Sequence, residues 1–142
     1  MATSEDTGAD LRAPAAEALI ERYLEHARVE RRLAERTLDI YAEHLRALAA
    51  KMAAAQLPVD RVSAAHVRRW MAQMHGAGRE PRGIALVLSC WRSFFRWLGQ
   101  QRLVPFNPVQ DVRAPKAPRP LPKALAVDDA VQLAELHDAE AD

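Results

Sequence analysis

The sequence predicts an all-α domain with four helices, and three observations lead to this fold class. Hydrophobic residues make up 49% of the 142 positions, which is enough for one buried core. Ala, Leu, Arg and Glu, which favour helix over strand, are abundant throughout. Apolar side chains recur at helical spacing in four stretches that Pro, Gly and polar residues separate.

The first helix is expected from Ala15 to about Glu30. Residues 1–14 are small, polar and acidic without apolar periodicity, so we expect a disordered tail there. From Ala15 onward charged residues alternate with an apolar stripe, which predicts an amphipathic helix that packs on partners. The stripe consists of Ile20, Tyr23, Leu24 and Ala27.

The second helix is expected over Glu35–Ala55, because apolar residues continue there at spacings of three, four and seven. "QLPVDRVS" ends it, since Pro58 cannot continue a helix. The predicted core stripe is Leu38, Tyr41, Leu45, Leu48 and Met52.

Ser63 is a good N-cap and marks the start of the third helix. Gly76 and Gly78 can provide its left-handed C-terminal cap, and Pro81 suits the first turn of a fourth helix that reaches about Gln101. The apolar residues of the third helix are Val67, Trp70, Met71 and Met74.

Two faces are expected on the fourth helix when its residues are placed at 100° per step. An arc of about 120° is apolar and predicts the core side: Ile84, Val87, Leu88, Trp91, Phe94, Phe95 and Leu98. A second side alternates arginines with small residues: Arg82, Ala85, Ser89, Arg92, Ser93 and Arg96. Such a side allows close approach to a DNA groove, with guanidinium groups reaching phosphates or guanine edges, although a solvated face is the alternative. Leu86 and Trp97 lie apart from both sides, either packed or exposed.

Six of the nine prolines lie in residues 105–123, so we expect residues 105–126 to form an extended, basic linker. Residues 127–142 then begin a short amphipathic helix, which we interpret as the truncated start of a second domain.

Charge is segregated along the chain although the net charge is only +1. Residues 1–60 carry 8 basic and 11 acidic side chains, residues 61–123 carry 12 and 2, and residues 124–142 carry 0 and 6. The middle segment is therefore strongly basic, which favours a polyanionic partner. Between Pro81 and Asp111 no acidic residue is available to pair with the arginines.

A few motifs resemble, in their order and spacing, the N-terminal core-binding domain of XerC/XerD-type tyrosine recombinases of the phage integrase family. They are "RYLEHARVERRLAERTLDIYAEHLRAL", "VSAAHVRRWMAQMHGAG" and "LVLSCWRSFFRWLGQQRLVPFNPVQDVRAPKAPRPLPKAL". The resemblance implies a SAM-like orthogonal four-helix bundle in residues 15–104 that covers one side of duplex DNA at a recombination half-site.

The resemblance also assigns candidate DNA-binding residues, because the second and fourth helices of the family face the major groove and the linker follows the backbone. These residues are Arg36, Thr37, Tyr41, Arg82, Ser89, Arg92, Arg96, Lys116, Arg119 and Lys123. Two positions depart from the family pattern. Ala34 and Glu35 replace the usual Ser-Pro, and Val87 stands near a position that is usually basic.

The family's nucleophilic tyrosine and catalytic arginines belong to a C-terminal domain, so this fragment is expected to be non-catalytic. Tyr23 and Tyr41 both lie on apolar stripes and are expected to pack. No cofactor or metal is expected, since the five histidines lack ligand spacing.

The expected partners are double-stranded DNA and, in the full-length protein, other recombinase protomers of a synaptic complex. The fragment alone is expected to be a cytoplasmic monomer without membrane association. The parent protein would serve chromosome dimer resolution or integration, which the sequence does not separate. A different class of function also stays open, namely a helical protein-interaction module that docks a partner on Leu86 and Trp97.

Overall fold

The computed structural model describes the backbone of residues 2–116 and the side chains of residues 16–116. This part of the chain contains four α-helices, a single 3₁₀ turn at Val59–Arg61 and no strand, which confirms the all-α prediction. The helices are α1 (Ala2–Val29), α2 (Glu35–Ala54), α3 (Ala64–Gly76) and α4 (Pro81–Gln100).

Helix α1 begins at Ala2, well before the predicted start at Ala15. The backbone of residues 2–14 is helical as well, while the boundary between a tail of residues 1–14 and the domain that follows stays a prediction. Acidic residues near a helix N-terminus suit the helix dipole, and Ala, Leu and Arg are good helix formers. The predicted core stripe of α1, Ile20, Tyr23, Leu24 and Ala27, is buried.

Helix α2 lies where the apolar spacing predicted it. Four of its five stripe residues are buried, and Tyr41 is half-buried against the same core. Its N-cap, Ala34, makes no side-chain hydrogen bond, as expected for a residue without a polar side chain.

A capping box starts α3 at the predicted Ser63. The Ser63 hydroxyl accepts a hydrogen bond from the backbone N–H of His66 (3.3 Å), and His66 Nδ1 accepts one from the backbone N–H of Ser63 (3.0 Å). His66 therefore takes the place that Glu or Gln usually holds in this motif. Gly78 adopts a positive φ of 99° after the helix, as the left-handed cap prediction required.

Helix α4 is the centre of the fold. All seven residues predicted for its core side are buried, and three further residues, Cys90, Ser93 and Trp97, are buried as well. The wider burial has a simple cause, because α4 has neighbours on several sides. Phe94 packs edge-on against Tyr23 of α1, and Trp91 packs edge-on against Trp70 of α3.

Helix α2 contacts α4 through backbone carbonyls of α2. Trp91 Nε1 donates to the carbonyl of His44 (3.0 Å), and the Cys90 thiol donates to the carbonyl of Tyr41 (3.7 Å). These contacts set α2 alongside α4 and satisfy an indole N–H that would otherwise be buried without a partner.

Residues 104–116, which we call the post-helix segment, differ from the extended linker expected from residue 105. Val104, Val109 and Val112 are buried in the same core as the helices, and residues 108–111 form a turn. The segment folds back because its valines gain more from burial than an extended conformation would allow. The remaining linker residues and the predicted helix in residues 127–142 lie outside the described residues.

Candidate nucleic-acid interface

The solvent side of α4 presents the predicted mixture of cationic and small side chains. Arg82, Ala85, Ser89 and Arg96 are all exposed, and so is Leu86. At a rise of about 1.5 Å per residue, Arg82 and Arg96 are about 21 Å apart along the helix. This length and the small residues between the arginines fit a helix that lies against a groove with a cation at each end.

The predicted DNA-binding residues of α2 lie in the first two turns of that helix. Arg36 is exposed, whereas Thr37 and Tyr41 are half-buried. Since the Tyr41 carbonyl accepts the Cys90 thiol, this part of α2 lies close to the middle of α4, next to Ser89. The structure thus brings the α2 and α4 candidates onto neighbouring helices.

Arg92 has a contact that the sequence did not predict. Its Nε donates to the carbonyl of Val109 (3.2 Å) and its Nη2 donates to the carbonyl of Val112 (2.7 Å). Arg92 is half-buried, and burial followed by the neighbouring charges of Arg113 and Arg96 lowers its pKa. Two of the five guanidinium N–H donors are therefore committed to the chain's own backbone.

Ser93 was expected on the arginine side of α4, and this prediction is wrong. Ser93 is buried, its hydroxyl lies 2.8 Å from the Tyr23 hydroxyl, and Arg31 Nη1 donates to it at 3.0 Å. The reason is that α1 packs over this flank of α4 and supplies polar partners for the hydroxyl.

Trp97 lies one turn further along the same flank and is also covered by α1. It is only 6% exposed, and its ring centroid lies 5.7 Å from that of Tyr23 and 6.0 Å from that of His26. The Arg22 guanidinium lies over the same ring at 5.5 Å. A docking patch formed by Leu86 and Trp97 is therefore excluded, since a buried indole is not available to a partner.

Residues 61–116 carry a positive charge that few acidic side chains of the same stretch balance. Residues 61–116 contain ten basic side chains and two acidic ones, Glu80 and Asp111. The two ion pairs formed by residues 16–116 both involve glutamates of α1: Arg28 with Glu25 (3.4 Å) and Arg46 with Glu21 (3.9 Å). Within residues 16–116 the arginines of α4 and of the post-helix segment therefore form no ion pair with a carboxylate, which favours attraction of a polyanion.

The post-helix segment contributes one predicted residue and one that the prediction omitted. Lys116 is exposed, whereas Arg119 and Lys123 lie outside the described residues. Arg113, which was not among the candidate residues, is also exposed, and its Nη1 donates to the carbonyls of Gln110 (3.1 Å) and Val112 (3.4 Å). Its place beside Arg92 depends on the folding of the segment, which the basic composition of residues 113–123 does not reveal.

Nucleophilic side chains in the core have the properties of packed groups. Burial raises the pKa of Tyr23, and burial raises that of the Cys90 thiol to about 12. Tyr23 is 1% exposed, which confirms its predicted packing role. Among residues 16–116 no group of three or more His, Cys, Asp or Glu side chains is arranged to hold a metal ion. None of the helices in the described range is both long enough and apolar enough to cross a membrane.

Comparison with known proteins gives consistent matches along this chain. Residues 20–102 match the family described as "Phage integrase, N-terminal SAM-like domain". The chain is 45% identical over 116 residues to Tyrosine recombinase XerC 1 of Ralstonia nicotianae, covering 80% of this chain and 35% of that protein. It is 44% identical over 116 residues to Tyrosine recombinase XerC of Ralstonia pickettii, with the same two coverages.

More distant relatives carry the same description. Tyrosine recombinase XerC of Proteus mirabilis is 36% identical over 115 residues, which cover 80% of this chain and 38% of that protein. The chain thus spans just over a third of the length of the curated relatives it matches. No solved structure was found to match it.

Proposed function

Because this chain belongs to the family of phage integrase N-terminal SAM-like domains and is related to XerC tyrosine recombinases, we propose that it binds duplex DNA at a recombination half-site. In this proposal residues 15–104 together with the packed post-helix segment form a core-binding domain that covers one side of the DNA. Cutting and rejoining of strands would belong to a catalytic domain of which residues 127–142 would be the first part.

The observation that carries this proposal is the uncompensated positive charge around α4. Arg82 and Arg96 are exposed at the two ends of one side of α4, and apart from the half-buried Arg92 the side chains between them on that side are small. Acidic side chains three or four positions away on a helix form stabilising ion pairs with arginines. Here the nearest acidic residues along the chain are Glu80 and Asp111, and neither forms an ion pair with a side chain of residues 16–116.

Residues of α2 and α4 would make two kinds of contact with DNA, to the phosphates and to the bases. Arg82 and Arg96 suit phosphate contacts at the edges of the groove, while Arg36, Thr37, Tyr41 and Ser89 lie where a base edge could be reached between them. Lys116 and, further along, Arg119 and Lys123 would follow the DNA backbone. Arg92 supports this surface from the protein side, because its hydrogen bonds hold the post-helix segment.

Partners and localisation follow from the proposed function. The partners are double-stranded DNA and other recombinase protomers around the DNA, and the protein acts in the cytoplasm, where bacterial DNA is located. Tyr23, a buried tyrosine hydrogen-bonded to Ser93, is unsuited to act as the strand-cutting nucleophile, in agreement with a binding function for this region.

An amide chemical-shift titration of the ¹⁵N-labelled chain with a 20-base-pair duplex, at low and moderate salt, tests this proposal. We expect shifts concentrated on Arg36–Tyr41, Arg82–Arg96 and Lys116–Lys123 that fade as salt rises, because each phosphate contact releases counterions. Shifts that are absent at low salt, or that persist unchanged at moderate salt, contradict it.

A further inference from the structure

Three arginines from two parts of the chain meet near the C-terminal half of α4. Arg92 Nη2 and Arg113 Nη1 donate to the same carbonyl oxygen, that of Val112, at 2.7 and 3.4 Å. Arg96 follows Arg92 by one helical turn, which places the two on the same side of α4. We call Arg92, Arg96 and Arg113 the arginine cluster.

Bringing three permanent cations together is unfavourable unless an anion compensates them. Burial lowers the pKa of Arg92, and the charges of Arg113 and Arg96 lower it further, so both lie within electrostatic reach of Arg92. No ion pair within residues 16–116 involves any of them. Asp111, the closest acidic residue in sequence, is exposed and pairs with no cation in the described range.

A network of hydrogen bonds keeps Arg113 in this position. Asn107 Nδ2 donates to the carbonyl of Arg92 (3.1 Å), and Asn107 Oδ1 accepts from the backbone N–H of Val109 (3.0 Å). Arg92 in turn donates to the carbonyls of Val109 and Val112. The side chains of both valines are almost fully buried. The backbone just before Arg113 is therefore held by hydrogen bonds to its carbonyls and by the burial of its side chains.

We propose that Arg96 and Arg113 together bind the phosphate backbone of duplex DNA, and that Arg92 and Asn107 are positioning residues that hold Arg113 beside α4 for this purpose. The proposal rests on the proposed DNA-binding function and adds to it a composite site built from a helix and the segment after it. Arg96 and Arg113 are exposed, and the backbone hydrogen bonds of Arg113 use Nη1 alone, so that its Nη2 can donate to a phosphate. Arg92 is half-buried, and its Nε and Nη2 donate to backbone carbonyls of the protein.

This proposal predicts that a substitution can weaken DNA binding without changing the charge of the protein. If Arg113 binds a phosphate only because the Arg92–Asn107 network holds it in place, a change at Asn107 that leaves every charge intact weakens the same contact. The logarithm of the affinity falls linearly with the logarithm of the salt concentration. We call the magnitude of this decrease the salt slope, and each lost phosphate contact reduces it by about 0.9.

The test measures fluorescence anisotropy of a fluorescein-labelled 30-base-pair duplex of mixed sequence, titrated with the full 142-residue chain at several salt concentrations. The variants are Arg113→Gln, Arg96→Gln, Asn107→Ala and the double variant Asn107→Ala/Arg113→Gln. Arg61→Gln, which removes an exposed charge from the 3₁₀ turn, is the matched control.

We expect Arg113→Gln and Arg96→Gln each to lower the salt slope by about one, and Arg61→Gln to leave it at the wild-type value. Asn107→Ala should lower the slope nearly as much as Arg113→Gln, with no further decrease in the double variant. Arg92→Lys keeps the charge but lacks the planar fork that reaches two carbonyls, so it should reproduce the Asn107→Ala result and serves if that variant does not fold.

Wild-type slopes in Asn107→Ala and Arg92→Lys overturn the positioning role, and an Arg113→Gln effect no larger than that of Arg61→Gln overturns the site. In both cases the wild-type chain still binds DNA in a salt-dependent manner, and the proposed function stands. Wild-type protein that does not bind the duplex at low salt overturns the proposed function and the site together.

Discussion

The two flanks of α4 differ in how their polar and aromatic residues are used. On the flank toward α1, Ser93 and Trp97 are buried against Tyr23 and His26, and the Ser93 hydroxyl has polar partners in Tyr23 and Arg31. On the side of α4 that carries the arginines, Arg92 binds backbone carbonyls, while Arg82 and Arg96 are exposed and pair with no carboxylate of residues 16–116. Residues of α4 that pack on α1 therefore contribute to stability, while its exposed arginines are available for the proposed DNA binding. Substitutions in the first group should change the free energy of unfolding, and substitutions in the second should change DNA affinity.

The largest effect is expected in the core between the flanks. Phe94→Ala removes a fully buried ring that packs on Tyr23 and Phe95, and should lower the free energy of unfolding by about 3–5 kcal/mol. Urea unfolding followed by circular dichroism measures this. Ala85→Ser, on the exposed side, is the control and should change stability by less than about 0.5 kcal/mol. A loss below about 1 kcal/mol for Phe94→Ala contradicts the assignment of α4 as the central helix.

The next effect concerns DNA affinity and leaves stability unchanged. Arg82→Gln/Arg96→Gln should weaken binding to a short duplex at least tenfold at low salt, with the same midpoint of thermal unfolding, because both side chains are exposed. Arg28→Gln/Arg46→Gln removes the same charge from arginines that are paired with glutamates, and should weaken binding much less. Equal losses for the two double variants indicate that only net charge matters and remove the distinction between the flanks.

Because Cys90 is buried, we expect the free energy of unfolding to fall as the pH rises above about 9. Its folded-state pKa of about 12 lies above the ordinary value of 9.0, so the folded state retains a proton that the unfolded state releases. The contribution is fully present below pH 9 and is lost as pH rises from there toward 12, at up to about 1.4 kcal/mol per pH unit. Urea unfolding at pH 8 and pH 10 should show a decrease of about 1 kcal/mol.

Cys90→Ala provides the control for this pH effect. The variant should lose part of the pH-dependent decrease between pH 8 and pH 10, although its stability at pH 8 is lower because a buried side chain is truncated. An unchanged decrease in Cys90→Ala assigns the effect to another group, for which Tyr23, whose pKa is also raised by burial, is the candidate at higher pH.

The smallest effect is a gain of stability at the start of α2. Ala34 has the extended backbone of an N-cap residue (φ −67°, ψ 154°) but no side-chain hydrogen bond to the helix. Ala34→Ser should raise the free energy of unfolding by about 0.5–1 kcal/mol, because its hydroxyl can accept from a free N–H of the first turn. Thermal unfolding of Ala34→Ser beside Ala34→Gly separates the cap hydrogen bond from a backbone effect, and no gain from serine contradicts this interpretation.

Much of the fold was predictable because helices and their caps depend on nearby residues. The spacing of apolar side chains placed α2, and Ser63 and Pro81 marked the starts of α3 and α4 within a residue. The 3₁₀ turn at Val59–Arg61 was not predicted, since three residues contain too little periodicity. Of the candidate DNA-binding residues, the exposure of Arg36, Arg82, Ser89, Arg96 and Lys116 agrees with their expected position on the surface, while their contact with DNA stays a prediction.

The sequence by itself determined the helix positions, the core side of α4 and the excess of positive charge after residue 60, because these follow from local spacing and composition. Tertiary structure alone decided what happens at the edges of that core side. A helical wheel gives the direction of Ser93, Trp97 and Arg92, but not that α1 covers the first two and that the post-helix segment binds the third. Those outcomes depend on contacts between residues 15 to 75 positions apart, such as Asn107 with Arg92 and Trp97 with Arg22, whose formation is set by the packing of the whole domain.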